Sequence, residues 1–358
     1  MSATRARQSG GGSVSPLRGV AGECAIADQI ERAVRAGELL IPRRPVLVMY
    51  SGGRDSTCLL DLAVRIAGAD VTSALHVNYG LRAAAEDEQR HCAQRCATLG
   101  VELVVRRAPP APTAGNLQAW AREVRYAEAH ALAARRGADI AVGHTASDQV
   151  ETILYRLASS PSRRALLGMR AREGRLVRPL LALTREQVSA YCRERGLDWV
   201  EDESNESDAY ARNRIRHGLL EALRAVHPAA ERNILAVAQT LREEAEVLDQ
   251  LIDAELQGRE QIALERLREL PAALGRLIVQ RLADAAAGRP APGTARRLEE
   301  ILALERGALD LPHGVRARVR DGVLRFERTP RRDGGPAVPR SLRPGPPPGS
   351  PKAREARP

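Results

Sequence analysis

The sequence predicts an α/β fold, a doubly wound, Rossmann-like parallel sheet followed by a smaller helical domain. Short apolar runs alternate with longer helical patterns between residues 46 and 157, and this alternation is typical of β-α-β units with helices on both faces of a parallel sheet. The run at 46–50 is continuously apolar, as expected of a strand buried on both faces. Hydrophobic residues make up 44% of the chain but aromatic residues only 3%, which suits helices of Ala, Leu and Val packed on a sheet.

Each predicted strand is followed by a predicted helix. A helix at 25–37 precedes the first strand at 46–50. Further strands are predicted at 71–77, 101–106 and 139–142, and the helices that follow the strands at 55–67, 84–99, 116–136 and 147–157. Because the carboxyl ends of parallel strands meet at one edge of the sheet, we expect ligands to bind there.

The second half of the chain is mainly helical by pattern. A short strand at 176–181 precedes a helix at 184–196 with Thr184 as its N-cap. A polar loop and a long helical stretch follow, with a hairpin at 315–326 near the end. We therefore expect a tail at 1–20, a catalytic domain at 21–215, a mainly helical domain at 216–328, and a Pro- and Arg-rich tail at 329–358, with both tails disordered.

Charge and cysteine content narrow the function classes. Most of the formal net charge of +10 lies in the two tails, so charge alone supports nucleic-acid binding only weakly. The single lysine, Lys352, lies in the predicted C-terminal tail. Its position excludes a catalytic Schiff-base lysine and a phosphate loop of the G-x-x-x-x-G-K-[ST] type, which both need a lysine in the folded domain. The five cysteines form no paired C-x-x-C motif, and no apolar run is long enough for a membrane span. We expect a reduced, cytoplasmic protein without a membrane anchor.

The turn between the first strand and its helix carries the clearest chemistry. It consists of Ser51, Gly52, Gly53, Arg54, Asp55 and Ser56. Two glycines let backbone N–H groups approach an anion, and the start of the helix adds partial positive charge. The Asp55 carboxylate would repel that anion, so its presence predicts a Mg²⁺ ion bridging the carboxylate and phosphates.

Other polar residues are predicted at the same edge of the sheet. Asp148 and Glu151 share one face at the start of a helix, where they could bind Mg²⁺ or an ammonium group. The alternative is acidic residues that complement the helix dipole. His144 follows a strand and either faces the substrate or is structural.

Two groups of arginines are candidates for RNA or phosphate contact. Arg122 and Arg125 share a helical face and could bind phosphates or a nucleobase, or could belong to a solvated face. Arg212, Arg214 and Arg216 concentrate positive charge after an acidic loop, where they could contact RNA phosphates or form interdomain salt bridges.

The turn S-G-G-x-D-S after a first strand resembles the signature of the N-type ATP pyrophosphatases, which have the PP-loop fold. Further motifs, in family order over residues 46–217, resemble the tRNA(Ile)-lysidine synthase family. They are the segments 76–82, 115–117, 121–126, 143–144, 148–152, 178–180, 201–205 and 212–216. The family usually has two adjacent aspartates where this chain has Ser147 and Asp148.

The resemblance implies an ATP-consuming ligase that forms AMP and pyrophosphate. It implies that L-lysine is joined to the wobble cytidine of tRNA(Ile) with a CAU anticodon. On this hypothesis the turn holds pyrophosphate, Asp55 and Asp148 position Mg²⁺, and Glu151 orients or deprotonates the incoming amine.

Two alternatives stay open on the sequence. One is another PP-loop enzyme that modifies tRNA, such as a thiolase, although the cysteine pairs typical of thiolases are missing. The other is a catalytically silent RNA-binding relative. No protein partner is required by the pattern, and the sequence leaves a homodimer open.

Overall fold

The computed structural model describes residues 25–81, 84–113, 116–159, 165–201 and 211–329. The predicted tail at 1–20, residues 330–358 of the other predicted tail, the loop at 160–164 and the acidic loop at 202–210 lie outside the described residues. Within the described ranges, no helix is long and apolar enough to cross a lipid bilayer.

The larger sheet has six strands in the order β3-β2-β1-β4-β6-β5. The strands are β1 (Val46–Met49), β2 (Thr72–Asn78), β3 (Glu102–Arg107), β4 (Asp139–Ala141), β5 (Arg172–Glu173) and β6 (Leu176–Val177). All neighbouring pairs are parallel except β5 with β6. The chain moves from β1 to β2 and β3 on one side, and then places β4 on the other side of β1. The carboxyl ends of β1 and β4 therefore border the switch point where ligands of such sheets bind.

Helices cover both faces of this sheet, as the sequence predicts. They are α1 (Ile26–Ala36), α2 (Arg54–Ala67), α3 (Ala85–Leu99), α4 (Leu117–Arg136), α5 (Ala146–Ser159) and α6 (Arg185–Glu194). Side chains of β1 alternate between the faces. Val46 and Val48 join a core cluster with α1, α2, α3 and α6, whereas Leu47 and Met49 join one with α4.

The chain then enters a continuous helical segment at 211–226. It comprises α7 (Ala211–Arg214), a π-helical turn at Ile215–Leu219, and α8 (Leu220–Val226). The boundary proposed at residues 215 and 216 lies within this segment. The long helix α9 (Ala230–Leu256) follows and contacts α5 of the larger domain.

The C-terminal part combines helices with a second sheet. Its helices are α9, α10 (Leu264–Glu269), α11 (Ala272–Ala287) and α12 (Leu298–Leu302), and its strands are β7 (Gln261–Ala263), β8 (Gly307–Leu311), β9 (Val315–Arg320) and β10 (Val323–Arg328). These strands pair antiparallel in the order β7-β10-β9-β8. The predicted hairpin corresponds to β9 and β10, and the two outer strands extend it.

Candidate active site

The turn after β1 connects this strand to α2, and its second residue has to be a glycine. Gly52 has a φ of +86°, and a Cβ there would lie 3.0 Å from Cys92 Sγ on α3. Hydrogen bonds within the turn stabilise it. Ser56 Oγ donates to the Gly53 carbonyl at 2.8 Å and lies 3.1 Å from Ser51 Oγ. Val200 N–H donates to the Gly52 carbonyl at 3.0 Å, so the segment leading into the acidic loop runs beside the glycine pair.

Most backbone donors of this turn point away from protein acceptors. Thr57 N–H is the first to bond back within the helix, to the Gly53 carbonyl. Within the part of the chain that the structure describes, the N–H groups of Gly52, Arg54, Asp55 and Ser56 have no protein acceptor. Ser51 N–H and Gly53 N–H make only long contacts with the two serine hydroxyls, at 3.3 and 3.4 Å. A cluster of unpaired donors at a helix start is suited to binding an oxyanion.

The Asp55 side chain lies next to these backbone N–H groups. Its Oδ1 accepts from Arg54 Nε at 2.9 Å, and both side chains are about three-quarters shielded from solvent. The neighbouring turn after β4 approaches from the other side, because a Cβ on Gly143 would lie 3.1 Å from the Asp55 carbonyl carbon. The carboxyl ends of β1 and β4 are thus in backbone contact.

His144 and Asp148 lie on that neighbouring turn and on the start of α5. Thr145 N–H and Oγ1 donate to Asp148 Oδ2 at 2.8 and 2.9 Å, so Asp148 takes part in capping its own helix. His144 Nδ1 accepts from Arg178 Nε at 3.3 Å, which leaves the proton of a neutral ring on Nε2. Arg178 is buried and also donates to the Arg170 carbonyl at 2.6 Å.

Glu151, one turn further along α5, is a buried carboxylate with a basic partner. It is 1% exposed, and its Oε1 accepts from Arg216 Nε at 2.7 Å, with Arg185 at 3.8 Å. Its Oε2 is buried and has no hydrogen-bond partner among the described residues. Arg216 lies in the π-helical turn, a type of helical irregularity that is frequent at functional sites. Of the two predicted roles for Arg216, an ion pair is the contact observed.

The side chain of Gln149, which lies between Asp148 and Glu151 in the sequence, binds the backbone of a neighbouring turn. Its side chain bonds the backbone of Met169 twice, accepting from the N–H at 2.6 Å and donating to the carbonyl at 2.8 Å. A Cβ on Gly168 would lie 2.5 Å from Gln149 Oε1. On the C-terminal side, Arg242 of α9 donates to the Leu167 carbonyl at 2.9 Å. The turn at 165–169 is therefore fixed to both α5 and α9.

The other predicted arginines of the described residues lie on α4 and α7. Arg122 on α4 is exposed, and its guanidinium lies 4.4 Å from the Tyr126 ring centroid. Arg125, on the same helix, has a buried Nε without a partner among the described residues. Arg214 is exposed on α7, and the Arg212 side chain lies outside the described residues.

The sequence reasoning missed three residues that shape the site. Gly143 and Arg178 lie in motifs that the resemblance identifies, but their contacts with Asp55 and His144 join separate strands. Val200 belongs to no motif and is placed beside Gly52 only by the fold. Gly143 and Arg178 could have been found from their membership of motifs, whereas nothing in the sequence indicates the position of Val200.

The two aspartates fit a Mg²⁺ ion that binds together with nucleotide phosphates. Among the described residues there is no group of three or more His, Cys, Asp or Glu side chains that could hold a metal by themselves. Magnesium in nucleotide sites needs only one or two carboxylates, because phosphates and waters complete its shell. Asp55 Oδ1 is engaged by Arg54 and Asp148 Oδ2 by Thr145, which leaves the second oxygen of each carboxylate for such a role.

The cysteines of the described residues are structural. Cys58, Cys92, Cys96 and Cys192 are free and buried, and all four belong to the core cluster beneath the turn. Cys92 and Cys96 thus belong to the packing of α3 on the sheet. Cys24 lies outside the described residues.

The fold and its strand-to-helix turn are those of a PP-loop domain, and residues 24–223 match the family model of that description. The chain is 38% identical over 216 residues to the tRNA(Ile)-lysidine synthase of Pseudomonas fluorescens, which covers 58% of this chain and 48% of that protein. It is 35% identical to the tRNA(Ile)-lysidine synthase of Alkalilimnicola ehrlichii, covering 83% of this chain and 70% of that protein. The chain belongs to the tRNA(Ile)-lysidine synthase family.

Two further comparisons concern the length of the chain and its fold. The chain spans about half the length of the Pseudomonas relative. Among solved structures, the U34-tRNA thiolase NcsA from Methanococcus maripaludis matches with a TM-score of 0.52 and 18% identity, covering 61% of this chain and 79% of that chain. At this identity the likeness concerns the fold, and it confirms the predicted α/β architecture.

Proposed function

We propose that this chain is an ATP-dependent ligase that forms lysidine at the wobble cytidine of tRNA(Ile) with a CAU anticodon, using L-lysine and acting in the cytoplasm. The observation that carries the proposal is the group of backbone N–H donors at Gly52, Arg54, Asp55 and Ser56, which have no acceptor among the described residues and lie next to the Asp55 carboxylate. Membership of the tRNA(Ile)-lysidine synthase family supports the substrate class.

In the first proposed step, the cytidine O2 attacks the α-phosphorus of ATP and pyrophosphate leaves. The backbone donors of the turn would hold the leaving pyrophosphate, as helix starts hold anions. Gly52 and Gly53 allow this close approach, since their backbone carries no Cβ. Fixed donors at the developing charge accelerate such a step because they need no reorganisation during the reaction.

Mg²⁺ would neutralise phosphate charge when bound between Asp55, Asp148 and the phosphates. The role of the protein is to hold these two carboxylates in place. Asp148 is fixed by its two hydrogen bonds from Thr145. Asp55 is fixed at the helix start by the backbone contact with Gly143 and by Arg54.

In the second proposed step, the ε-nitrogen of lysine attacks carbon 2 of the adenylated cytidine. The N–C bond forms, the C–O bond breaks, and AMP leaves with the former base oxygen. A lysine ammonium has a reference pKa of about 10.4, so it must lose a proton before it can attack. Glu151 is the proposed acceptor, because its buried Oε2 has no hydrogen-bond partner among the described residues.

The RNA must present an unpaired base to this edge of the sheet, which anticodon loops allow. Arg122, Arg125, Arg212, Arg214 and Arg216 are the proposed contacts for RNA phosphates or bases. For Arg216, this role requires that its ion pair with Glu151 coexist with RNA or be exchanged for it.

The experiment measures two products from one reaction. Purified protein is mixed with ATP, a tRNA(Ile) transcript with a CAU anticodon, and radiolabelled lysine, and both pyrophosphate release and lysine incorporation are followed. We expect both products from the wild type. Asp55→Ala should abolish both, whereas Glu151→Gln should keep a tRNA-dependent burst of pyrophosphate and lose lysine incorporation.

The control is Asp28→Asn, at an exposed position on α1, which should leave both products unchanged. Thermal unfolding of each variant shows whether it is folded. RNA binding without pyrophosphate release from the wild type would reject the enzyme assignment and favour a silent RNA-binding protein. Pyrophosphate release with tRNA but no lysine incorporation would favour a different modification.

A further inference from the structure

Aromatic side chains are scarce in this protein, and a third of them lie together, at the end of β2 and on α4. Tyr79, Trp120 and Tyr126 are three of nine Phe, Trp and Tyr residues in the chain. With Arg122 and Arg125 they form what we call the aromatic–arginine cluster.

The position of this cluster follows from the sheet order. Tyr79 directly follows β2, which is the parallel neighbour of β1, and the turn at 51–56, which we call the PP-loop, follows β1. Neighbouring strands lie about 5 Å apart, so the cluster borders the same edge. The other members lie on the first turns of α4, whose start is fixed by Asn116 accepting from Ala119 N–H at 3.1 Å.

Contacts within the cluster hold its rings in place. Tyr79 Oη donates to the Ala121 carbonyl at 3.0 Å, and its ring meets the Trp120 ring edge-to-face at 5.8 Å. The Arg122 guanidinium covers Tyr126 at 4.4 Å. Trp120 is half-buried and Arg122 exposed. The cluster therefore presents a fixed indole and a planar guanidinium at the surface.

The cluster also has polar groups that the described protein does not satisfy. Arg125 Nε and Tyr126 Oη are buried without a hydrogen-bond partner among the described residues. Within the same residues, neither Arg122 nor Arg125 forms a salt bridge, although Glu128 nearby is paired with Arg106 at 3.3 Å. Buried polar groups normally have partners, so a ligand with acceptors and negative charge would complement this surface.

We propose that the aromatic–arginine cluster is the subsite for an unpaired RNA base, stacked on Trp120, with Arg122 and Arg125 neutralising the adjoining phosphodiester. The proposal deepens the proposed function and rests on RNA being the substrate. Unpaired bases stack on aromatic rings and on arginine planes. The adenine of ATP shares this chemistry, but the exposed Arg122 at the outer side of α4 favours a base that is part of a phosphodiester chain.

The tryptophans provide a direct measurement. The chain has two, Trp120 and Trp199, and Trp199 packs against the core. In a Trp199→Phe protein, fluorescence reports on Trp120 alone. This protein is titrated with a short RNA hairpin that has an unpaired loop, with a blunt RNA duplex of equal length, and with a non-hydrolysable ATP analogue.

Saturable quenching by the hairpin, and not by the duplex or the analogue, is the expected result. Quenching by the ATP analogue alone would assign the subsite to adenine and overturn the proposal. Absence of quenching by any ligand, while the hairpin binds by filter assay, would also overturn it.

Two substitutions test stacking itself. Trp120→Leu should weaken hairpin binding about 5- to 140-fold, the loss expected for one base–aromatic stack, whereas Trp120→Phe should keep most of the affinity. The matched control is Tyr155→Leu, which removes an aromatic ring that is 47% exposed on α5 and should not change hairpin binding. Equal affinities of Trp120→Leu and wild type would contradict the proposal. Loss of lysine incorporation has no bearing on these binding measurements, so failure of the proposed reaction is distinguishable.

Discussion

Gly143 approaches the backbone of Asp55 so closely that a side chain does not fit between them, and this approach brings together the carboxyl ends of β4 and β1. A Cβ on Gly143 would lie 3.1 Å from the Asp55 carbonyl carbon and oxygen and 3.2 Å from Ser56 N. All three neighbours are backbone atoms at the start of α2, which cannot rotate away as a flexible side chain can. The turn that carries His144 and Asp148 is therefore positioned directly against the PP-loop.

The first prediction concerns this contact. Gly143→Ala should separate the two turns by a few tenths of an ångström and destabilise the protein by about 1–3 kcal/mol, as overpacking usually does. The rate of pyrophosphate release should fall further than the loss of folded protein alone would explain, because Asp55 and Asp148 move apart. Urea unfolding and pyrophosphate release measure the two effects. Gly37→Ala, where a Cβ meets only ordinary contacts, is the control, and wild-type turnover by Gly143→Ala would contradict the prediction.

The second prediction concerns the ion pair between Glu151 and Arg216. Glu151 is 1% and Arg216 20% exposed. Among the described residues, removing the arginine would leave the buried carboxylate with one remaining ion-pair partner, Arg185 at 3.8 Å, so Arg216→Ala should destabilise the protein on the order of 3 kcal/mol. A double-mutant cycle with Glu151→Gln, measured by urea unfolding, should show strong coupling.

The matched control is the surface pair Arg318 and Glu327, whose side chains are 45% and 42% exposed. The same cycle there should show almost no coupling, because water screens exposed charges. Similar coupling energies for the two pairs would mean that burial of Glu151 does not determine its interaction.

The third prediction concerns pH and His76. Burial lowers the pKa of His76, against a smaller opposing effect of its contact with the Tyr50 carbonyl. The unfolded chain, with a histidine pKa of about 6.5, thus binds a proton at a pH where the folded chain does not. Stability is fully present above about pH 6.5 and falls as the pH drops from there toward the folded pKa, by at most about 1.4 kcal/mol per pH unit for one proton.

Urea unfolding between neutral and mildly acidic pH measures this loss. His76→Gln should make the profile flatter, whereas His130→Gln, at an exposed position on α4, should leave it unchanged. A profile of His76→Gln with the wild-type slope would assign the acid sensitivity to other groups.

The fourth prediction concerns thiol reactivity. Burial raises the pKa of Cys92 to about 12 and that of Cys96 to about 11. Because the thiolate is the reactive form, both should resist alkylation at mildly alkaline pH in the folded protein and react after denaturation. Peptide mass mapping in a Cys24→Ser background gives the extent at each site. Rapid labelling of either residue in the native protein would show that α3 opens readily.

The positions of strands and helices could be predicted because their signals are local. The apolar run of β1, the glycine pair and the Thr184 N-cap depend on neighbouring residues along the chain. The structure confirms the cap, with Thr184 Oγ1 accepting from Gln187 N–H and Gln187 Oε1 accepting from Thr184 N–H. The second sheet was predicted only in part, since β7 and β8 are separated from the hairpin in sequence and acquire their partners in the folded chain.

The α/β class, the glycine-rich turn and the family resemblance follow from the sequence alone, because periodicity, glycine and motif order are properties of short segments. The close approach of Gly143 to Asp55 depends on the folded chain. So do the hydrogen bond from Arg178 to His144 and the ion pair of Arg216 with Glu151. These partners are far apart in sequence, and they meet because sheet order and helix packing bring separate segments to one edge.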